Sequence, residues 1–365
     1  MAQTLANLFD NYPPNYLLFC SPVKSSGRLK KIKTIPYKGM LLSRGIFKKI
    51  IPLSLRNYWF EKIKIPSTIK KILRFNPEVV LISNLAYDSC LITLSLLQQK
   101  KLPLCVYLMD YMSKENKNTF DSLIEPLMKK ADKHIFISKY MAQTSTANYP
   151  QVKNWLVIHN PVEEKAIASI PHINRTGTEI SFAYAGSLWQ MHLDAVLLFA
   201  EALGILRRKG FKISFVIYTI PYFYKLNKRS FDDLEITYGG FHRFDLLKSQ
   251  LLQQTALLVA SSFDEKYYDL SAYSLQTKVT DYLACGVPVI GIGPAYAACN
   301  KFLSENNCGF IIESDNAALI AEQIETYLEK DTECIKKEVN NGLTLIRENY
   351  KKGFVQKKLY RFLSN

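Results

Sequence analysis

The chain has 365 residues, of which 48% are hydrophobic and 22% are charged. This composition is typical of a globular protein, and the longest apolar runs stay well below the roughly 18 residues that a membrane-spanning helix needs. The seven cysteines are scattered, odd in number and without a C-x-x-C pair. They favour reduced thiols in a cytoplasmic protein and argue against a structural zinc site.

Positive charge is concentrated in the first half of the chain. Residues 1–175 contain 26 basic and 11 acidic residues, whereas residues 176–365 contain 21 of each. Within the first half, the segment 24–74 holds 15 basic residues and a single acid, Glu61, with aromatic residues between them. Such a segment predicts binding to an anionic membrane surface, and a solvated basic face without a partner is the alternative interpretation.

The first half alternates predicted strands with predicted helices, beginning with a helix at 2–10. The predicted strands lie at 16–20, 78–83, 104–108, 134–138 and 155–158, and the helices at 86–99, 119–130 and 138–147. Continuous apolar strands in such a pattern predict a parallel sheet that is covered on both faces. Because a doubly wound domain normally begins with a strand, the first domain is predicted to lack its first strand. We therefore expect the natural product to extend upstream of Met1 by roughly 15–25 residues.

After a polar linker at 161–178, the alternation begins again. Strands are predicted at 180–185, 213–218, 235–238, 256–260, 287–291 and 309–312, and helices at 192–209, 243–253, 274–285, 297–306 and 315–329. The predicted fold class is α/β with two doubly wound, Rossmann-like domains. They comprise residues 1–165 and 176–340, and residues 341–365 are predicted to form a C-terminal helix that packs on the first domain.

Three sequence stretches in the second half follow predicted strands. AYAGSL contains Gly186, TYGGFHRFD contains Gly240 and Arg243, and SSFDEKYYDLSAYS follows the strand at 256–260. Ligands of open α/β sheets bind outside the carboxyl ends of the strands, so these stretches are expected to converge on one crevice. A glycine before a helix can admit a diphosphate, and a packing role for the same glycine is the alternative.

The stretch TKVTDYLACGVPVIGIGP at 277–294 predicts a short helix, a stop at Gly286 and a buried strand. Lys278 and Asp281 are three residues apart and share one face of that helix. A cation and an acid in this position can bind a ligand, and a surface ion pair is the alternative interpretation.

Together these motifs resemble the GT-B glycosyltransferases of the family 4 type, in the branch that builds bacterial surface polysaccharides. The motifs are YAGSLW, YGGF and TKVTDYLACGVPVI, with KKADKHIFISKYM at 129–141 and VIHNPV at 157–162. The resemblance implies that the C-terminal domain binds a nucleotide-sugar donor and that the N-terminal domain binds the acceptor. It also implies a transfer that retains anomeric configuration and needs no metal ion or other cofactor.

Residue by residue, the resemblance assigns roles on the donor side. Asp281 corresponds to the second acid of the Glu-x7-Glu motif, which binds the ribose hydroxyls, and Tyr273 stands in the place of the first acid. Lys278 is similar to the basic residue that faces the donor phosphates. After Gly186, Ser187 and His192 replace the family's frequent Arg and Lys.

Further site residues follow from the same resemblance. Gly240 and Arg243 are expected to line the donor site, with Arg243 adding to the neutralisation of the diphosphate. Asp110 follows the strand at 104–108, where relatives have a catalytic His or Asp, and a capping role is its alternative. The charge on the leaving diphosphate would then be stabilised by Lys278 and by backbone N–H groups near Gly186.

The sequence thus predicts a cytoplasmic hexosyltransferase that is bound peripherally to the inner membrane face. It would transfer a sugar from a UDP- or GDP-linked donor to a lipid-linked or oligosaccharide acceptor. Three alternatives remain: an inactive, membrane-associated scaffold of the same fold, a sugar-nucleotide epimerase, and a protein that binds nucleic acid through the basic segment. The last lacks any recognised nucleic-acid-binding module, so nucleic acid is not a predicted partner.

Overall fold

A computed structural model describes residues 2–21, 32–36, 58, 60–83, 85–110, 121–174, 179–242 and 244–364. The chain divides into two compact units. Unit 1 comprises residues 1–158 and 356–365, and unit 2 comprises residues 159–355.

Unit 1 contains two parallel sheets in its described residues. In one sheet β1 (Leu18–Ser21) pairs with β2 (Lys33–Pro36), and the other has the order β3-β4-β5-β6. Its strands are β3 (Val80–Ile82), β4 (Leu104–Leu108), β5 (Lys133–Phe136) and β6 (Trp155–Val157). The helices are α1 (Ala2–Phe9), α2 (Ile65–Leu73), α3 (Tyr87–Gln99), α4 (Asp121–Lys130) and α5 (Lys139–Asn148). The predicted helix at 2–10 and the predicted strand at 16–20 are therefore present, with small shifts in their bounds.

The amphipathic helix α2 closes one core of unit 1. Ile65, Ile69 and Ile72 recur at helical spacing and are buried in one apolar cluster with residues of α3. The opposite face of α2 and the residue that follows it expose Lys70, Lys71 and Arg74 to solvent. Most of the predicted basic segment, residues 24–31, 37–57 and 59, lies outside the described residues. The structure therefore gives positions for the basic residues of that segment only within residues 32–36, 58 and 60–74.

The C-terminal residues contact the first helix within unit 1. The last helix of the chain spans Lys352–Ser364, and its residues from Gln356 onward belong to unit 1. Gln356 Nε2 donates to the carbonyl of Asn7 at 2.9 Å, and Tyr360 Oη donates to that of Leu8 at 2.7 Å. These bonds fix the chain terminus against α1.

Unit 2 is built on a six-stranded parallel sheet with the order β12-β11-β10-β7-β8-β9. Its strands are β7 (Ile180–Ala185), β8 (Ile213–Tyr218), β9 (Thr237–Gly240), β10 (Ala256–Ala260), β11 (Val289–Ile292) and β12 (Phe310–Ile312). The helices are α6 (Gln190–Arg208), α7 (Pro221–Leu226), α8 (Lys228–Asp233), α9 (Phe244–Leu251), α10 (Tyr268–Tyr273), α11 (Lys278–Cys285), α12 (Ala298–Glu305), α13 (Ala317–Glu329) and α14 (Thr332–Asn349). Renumbered within the unit, this order is the 3-2-1-4-5-6 arrangement of dinucleotide-binding sheets.

Apolar side chains on both faces of the central strands hold this sheet in place. All five residues of β10 are buried, as expected for a parallel strand between two helical layers. On one face, Phe199 of α6 packs edge-to-face on Phe182 and Phe215, with ring centroids 5.3 and 5.4 Å apart. From β7 the chain adds strands toward one edge of the sheet, and from β10 it adds them toward the other edge. In sheets of this type, the ligand crevice lies at the carboxyl ends of the two strands where this direction changes, which are β7 and β10.

One predicted strand is displaced along the sequence. The strand predicted at 235–238 lies at Thr237–Gly240, so Gly239 and Gly240 are inside the strand and do not follow it. Gly239 lies close to the ring of Tyr218, with which an added Cβ would clash. Glycine is required here by a neighbouring aromatic ring, which the position of the glycines in the sequence does not reveal.

Gly286 ends helix α11 in the left-handed conformation, with φ of 70°. An added Cβ would lie 3.0 Å from the Cβ of Ala168 and 3.0 Å from the carbonyl oxygen of Ile170. The same turn accepts a hydrogen bond from the N–H of His172 at 2.6 Å. The predicted helix stop is thus confirmed, and close backbone packing adds to the conformational demand.

We expect Gly286→Ala to lower the free energy of unfolding by about 1–3 kcal/mol, because alanine is strained at positive φ and its Cβ meets neighbouring backbone. Urea denaturation of the full chain measures this loss. Gly353→Ala is the matched control, since no atom lies within 4 Å of its Cβ position and no positive φ is involved. Equal stability of both variants would contradict the proposed constraint.

Candidate functional site

The carboxyl ends of β7 and β10 bring several chain segments of unit 2 together. Gly186 directly follows β7, and Ser261 directly follows β10. The side chain of Gln276, just before α11, donates to the carbonyl of Ala260 at 2.7 Å and to Ser261 Oγ at 3.2 Å. The N-terminus of α11 is therefore fastened to the position at which this type of sheet binds its ligands.

Gly186 leaves the space that a neighbouring lysine fills. Its φ is 139°, and its N–H donates to the carbonyl of Tyr218 at 2.9 Å. An added Cβ would lie 3.0 Å from Lys278 Nζ and 3.2 Å from Lys278 Cε. A side chain at position 186 would therefore displace the Lys278 amine or strain the turn.

Lys278 begins helix α11 and directs its amine into the protein. Its Nζ atom is buried and has no hydrogen-bond partner among the described residues. The face of the Tyr184 ring lies beside the amine, with its centroid 3.7 Å from Nζ. Burial lowers the pKa of this amine to about 7. A buried ammonium is costly unless it is paired, so this position is suited to an anion that arrives from solution.

Asp281 lies one helical turn after Lys278. Although the residue as a whole is only partly buried, the surrounding protein desolvates its carboxyl group and raises the pKa to about 7. No ion pair joins Lys278 and Asp281 in the described part of the chain, so the alternative interpretation of a surface ion pair is wrong. Two separate groups lie on this helix, and neither has an ion-pair partner within the described residues.

His192 lies close to the same amine but carries no charge. Its Nδ1 is 2.9 Å from the carbonyl oxygen of Ala260, so Nδ1 holds the proton and donates it. Burial, together with the nearby Lys278, lowers the pKa of the ring to about 3. His192 therefore supplies no positive charge at the position where the family resemblance leads us to expect a lysine. Ser187 is exposed, and its carbonyl accepts a hydrogen bond from Tyr184 Oη at 2.8 Å.

Three polar groups at this edge of the sheet were missed from the sequence. Asp194 Oδ1, Thr219 Oγ1 and Gln276 Oε1 are buried and lack a hydrogen-bond partner among the described residues. Asp194 Oδ2 accepts from Ser262 Oγ at 2.8 Å, which fixes the carboxylate beside the loop after β10. Thr219 directly follows β8, so the rule that selected the other stretches could have found it.

The remaining predicted residues are less closely grouped. Gly240 ends β9, two strands from β7, and has φ of 90°. Tyr273 ends α10 and its ring meets Tyr268 edge-to-face at 6.2 Å. Asp110 is exposed just after β4 in unit 1. The prediction for Arg243 lies outside the described residues.

Comparisons with known proteins agree with this architecture. Residues 179–330 match the family model described as glycosyl transferases group 1. No curated protein sequence matches the chain. HepE of Anabaena, solved with UDP and glucose, shares 14% identity at a TM-score of 0.72, covering 100% of this chain and 96% of its own.

Two further solved structures are similar over most of the chain. A sucrose-phosphate synthase from Thermosynechococcus elongatus shares 14% identity at a TM-score of 0.66, covering 93% of this chain and 84% of its own. A glycosyltransferase from Rickettsia africae shares 15% identity at a TM-score of 0.67, covering 99% and 93%. The sequence match confirms the predicted glycosyltransferase resemblance for residues 179–330, and the structural matches confirm the predicted two-domain GT-B fold.

The raised pKa of Asp281 predicts a pH dependence of stability. Its pKa rises from the ordinary value of 3.8 to about 7 on folding. The carboxyl group therefore stabilises the folded chain below about pH 4, relative to higher pH, and this contribution is lost as the pH rises through about 7. The Asp281→Asn variant should not show this loss. Between pH 5 and pH 8, the free energy of unfolding of the wild type should therefore fall by at least about 1.4 kcal/mol relative to that of the variant, which is the equivalent of one pKa unit.

Urea unfolding of both proteins without ligand at pH 5 and pH 8 measures this difference. Asp315→Asn, at an exposed aspartate of the same unit, is the matched control and should follow wild type. A constant difference between wild type and Asp281→Asn at both pH values would show that the carboxyl group is well solvated.

Proposed function

We propose that this chain, whose residues 179–330 form a glycosyl transferases group 1 domain, transfers a sugar from a nucleotide-sugar donor to a lipid-linked or oligosaccharide acceptor. The observation that carries the proposal is the buried, unpaired amine of Lys278 at the crevice between β7 and β10. A nucleoside diphosphate supplies the anion that this amine lacks. In this proposal Asp281 accepts hydrogen bonds from the ribose hydroxyls, as a carboxylate can do with both oxygens.

The proposed reaction exchanges one glycosidic bond for another. The bond between the anomeric carbon and the diphosphate breaks with its electron pair on the diphosphate oxygen, the acceptor hydroxyl oxygen bonds to that carbon, and the hydroxyl proton passes to the released diphosphate. Negative charge then grows on the diphosphate, where protonated Lys278 would stabilise it.

Helix α6 begins four residues after Gly186, and its N-cap residue Trp189 makes no side-chain capping bond. Backbone N–H groups of this helix end are therefore suited to the same phosphate.

Anomeric configuration would be retained and no metal ion would be needed, as the family resemblance implies. The protonated amine supports the second point because it can supply the positive charge that other transferases take from a divalent cation. Tyr273, Gly240 and Arg243 are proposed to complete the donor site. Asp110 is proposed as a catalytic residue on the acceptor side, since it follows the fully buried strand β4 at its carboxyl end.

The sequence predicts UDP- or GDP-linked donors without a preference between them. UDP-linked sugars are the first to test, because HepE of Anabaena was solved with UDP-glucose. The acceptor range should include a hexose phosphate, since a sucrose-phosphate synthase is among the similar structures. A thermal-shift panel of UDP, GDP, ADP and CMP sugars selects the donor. A ligand at about 100 times its dissociation constant stabilises by roughly 2.7 kcal/mol. Radiolabelled transfer from the selected donor then tests activity, and donor binding without turnover would favour the inactive scaffold.

Peripheral binding to an anionic membrane is proposed for unit 1. Lys70, Lys71 and Arg74 lie together on the solvent side of α2, and Ile63 at its start is 54% exposed. Basic side chains beside an exposed apolar one suit the charged headgroups and the upper acyl region of an anionic bilayer. Among the described residues, no helix is long and apolar enough to span a membrane. We propose a cytoplasmic location at the inner membrane face.

Donor affinity should depend on both charged groups of helix α11, and in different ways. Asp281→Asn is expected to weaken UDP binding by about 1–3 kcal/mol, the range for a charge-assisted hydrogen bond. Lys278→Ala should weaken UDP much more than uridine, because only UDP carries the diphosphate. Isothermal titration calorimetry measures both ligands, with Lys337→Ala as a control at an exposed lysine of the same unit. Equal losses for UDP and uridine in Lys278→Ala would exclude the phosphate role.

Membrane binding should depend on the exposed face of α2. Reversing Lys70 and Lys71 to Glu is expected to weaken binding to anionic vesicles by at least about 10-fold, since each basic residue near such a surface contributes roughly 1 kcal/mol. Co-sedimentation with vesicles containing phosphatidylglycerol, at low and high salt, measures the effect.

The same reversal at Lys357 and Lys358 is the matched control, because this pair is also adjacent, helical, exposed and in unit 1. Equal losses in both double variants would indicate attraction by overall charge alone, and equal binding to neutral vesicles would contradict an electrostatic membrane surface.

A further inference from the structure

Tyr184 joins the two parts of the donor site that surround Gly186. It is fully buried in β7, two residues before the glycine. The face of its ring lies 3.7 Å from Lys278 Nζ, and its Oη donates to the carbonyl of Ser187 at 2.8 Å. One side chain therefore contacts the unpaired amine and also fixes the turn that follows Gly186.

The surroundings of the Lys278 amine contain no described carboxylate partner. The titratable groups that face it are Tyr184 on β7, neutral His192 on α6 and Cys299 on α12, and Asp281 follows on its own helix without pairing. Cys299 is buried and its raised pKa, about 11, keeps it a thiol. The aromatic face of Tyr184 is thus the main polarisable surface that the amine meets.

We propose that Tyr184 is a positioning residue that stores the Lys278 amine in a dry site while the donor is absent, so that diphosphate binding places a proton on Lys278. The proposal rests on the donor site described above. Because Lys278 Nζ is buried without a hydrogen-bond partner among the described residues, desolvation favours the neutral amine more than the ring face favours the ammonium, whereas a diphosphate beside the same amine favours the ammonium. Donor binding and proton uptake are then one coupled event.

The hydroxyl group of Tyr184 has a separate task. It holds the carbonyl of Ser187, and with it the turn between β7 and α6 from which backbone N–H groups face the phosphates. The ring and the hydroxyl group can be tested independently, because Tyr184→Phe keeps the ring and removes the hydrogen bond, whereas Tyr184→Leu removes both.

The number of protons taken up when UDP binds tests the storage role. Calorimetry at pH 7.5 in buffers of different ionisation enthalpy gives this number, and subtracting the value for uridine removes the contribution of Asp281. With the amine pKa at about 7, we expect wild type to take up more than about half a proton per UDP. Lys278→Arg, which stays cationic, accounts for the protonation of UDP itself and should show no such uptake.

The Tyr184 variants separate the two contributions. Tyr184→Phe should keep the proton uptake and bind UDP several-fold more weakly through the loss of the Ser187 bond. Tyr184→Leu should let water reach the amine, so that uptake at pH 7.5 falls below half of the wild-type value. Unchanged uptake in a folded Tyr184→Leu protein, or wild-type uptake no greater than in Lys278→Arg, would overturn the inference.

These outcomes are distinct from failure of the donor site. If neither UDP nor uridine binds, the proposed function fails and the positioning role fails with it. If UDP binds with normal affinity but without proton uptake, only the role of Tyr184 is refuted. If the Leu variant does not fold, the comparison of wild type with Lys278→Arg still decides, because equal proton uptake by these two proteins would overturn the inference.

Discussion

The buried amine of Lys278 is the constraint on which the donor side of this protein depends. It requires a glycine at position 186, because any side chain there would occupy the same space. The ring of Tyr184 covers this amine on one side, and no carboxylate among the described residues pairs with it. An unpaired buried polar group lowers stability, so this amine, which has no hydrogen-bond partner among the described residues, supports the phosphate site proposed above.

In the proposed donor site, the neighbouring groups leave the Lys278 amine available to a nucleotide sugar, since no carboxylate among the described residues pairs with it. His192 stays neutral because Ala260 fixes its proton and burial opposes a second one. Asp281 lies one turn away and does not cancel the charge of Lys278. A diphosphate and a ribose differ in the same way, one anionic and one with paired hydroxyl groups, and the two ends of the first turn of α11 match this difference.

Much of this architecture could be predicted from local sequence patterns. The fully apolar strands, the alternation with helices and the stop at Gly286 are local properties, and each was found near its predicted position. The tautomer and charge of His192 could not be predicted, because they depend on the carbonyl of Ala260, 68 residues away. The need for glycine at position 239 has a similar origin, since an added Cβ would clash with the ring of Tyr218 on the adjacent strand. Predictions failed where a contact between distant segments decides the outcome.

Ser187 and His192 stand where the family that the sequence resembles frequently has Arg and Lys, so the proposed donor site would depend more on the protonation of Lys278 than a site with a permanent guanidinium. An arginine remains charged at every physiological pH, so a site that contains one binds diphosphate with little proton exchange. In the described part of this site, the positive charge comes from an amine that titrates near neutrality. If Lys278 binds the phosphates as proposed, the affinities for the donor and for the released nucleoside diphosphate should vary together with pH, because both ligands present the same phosphates to this amine.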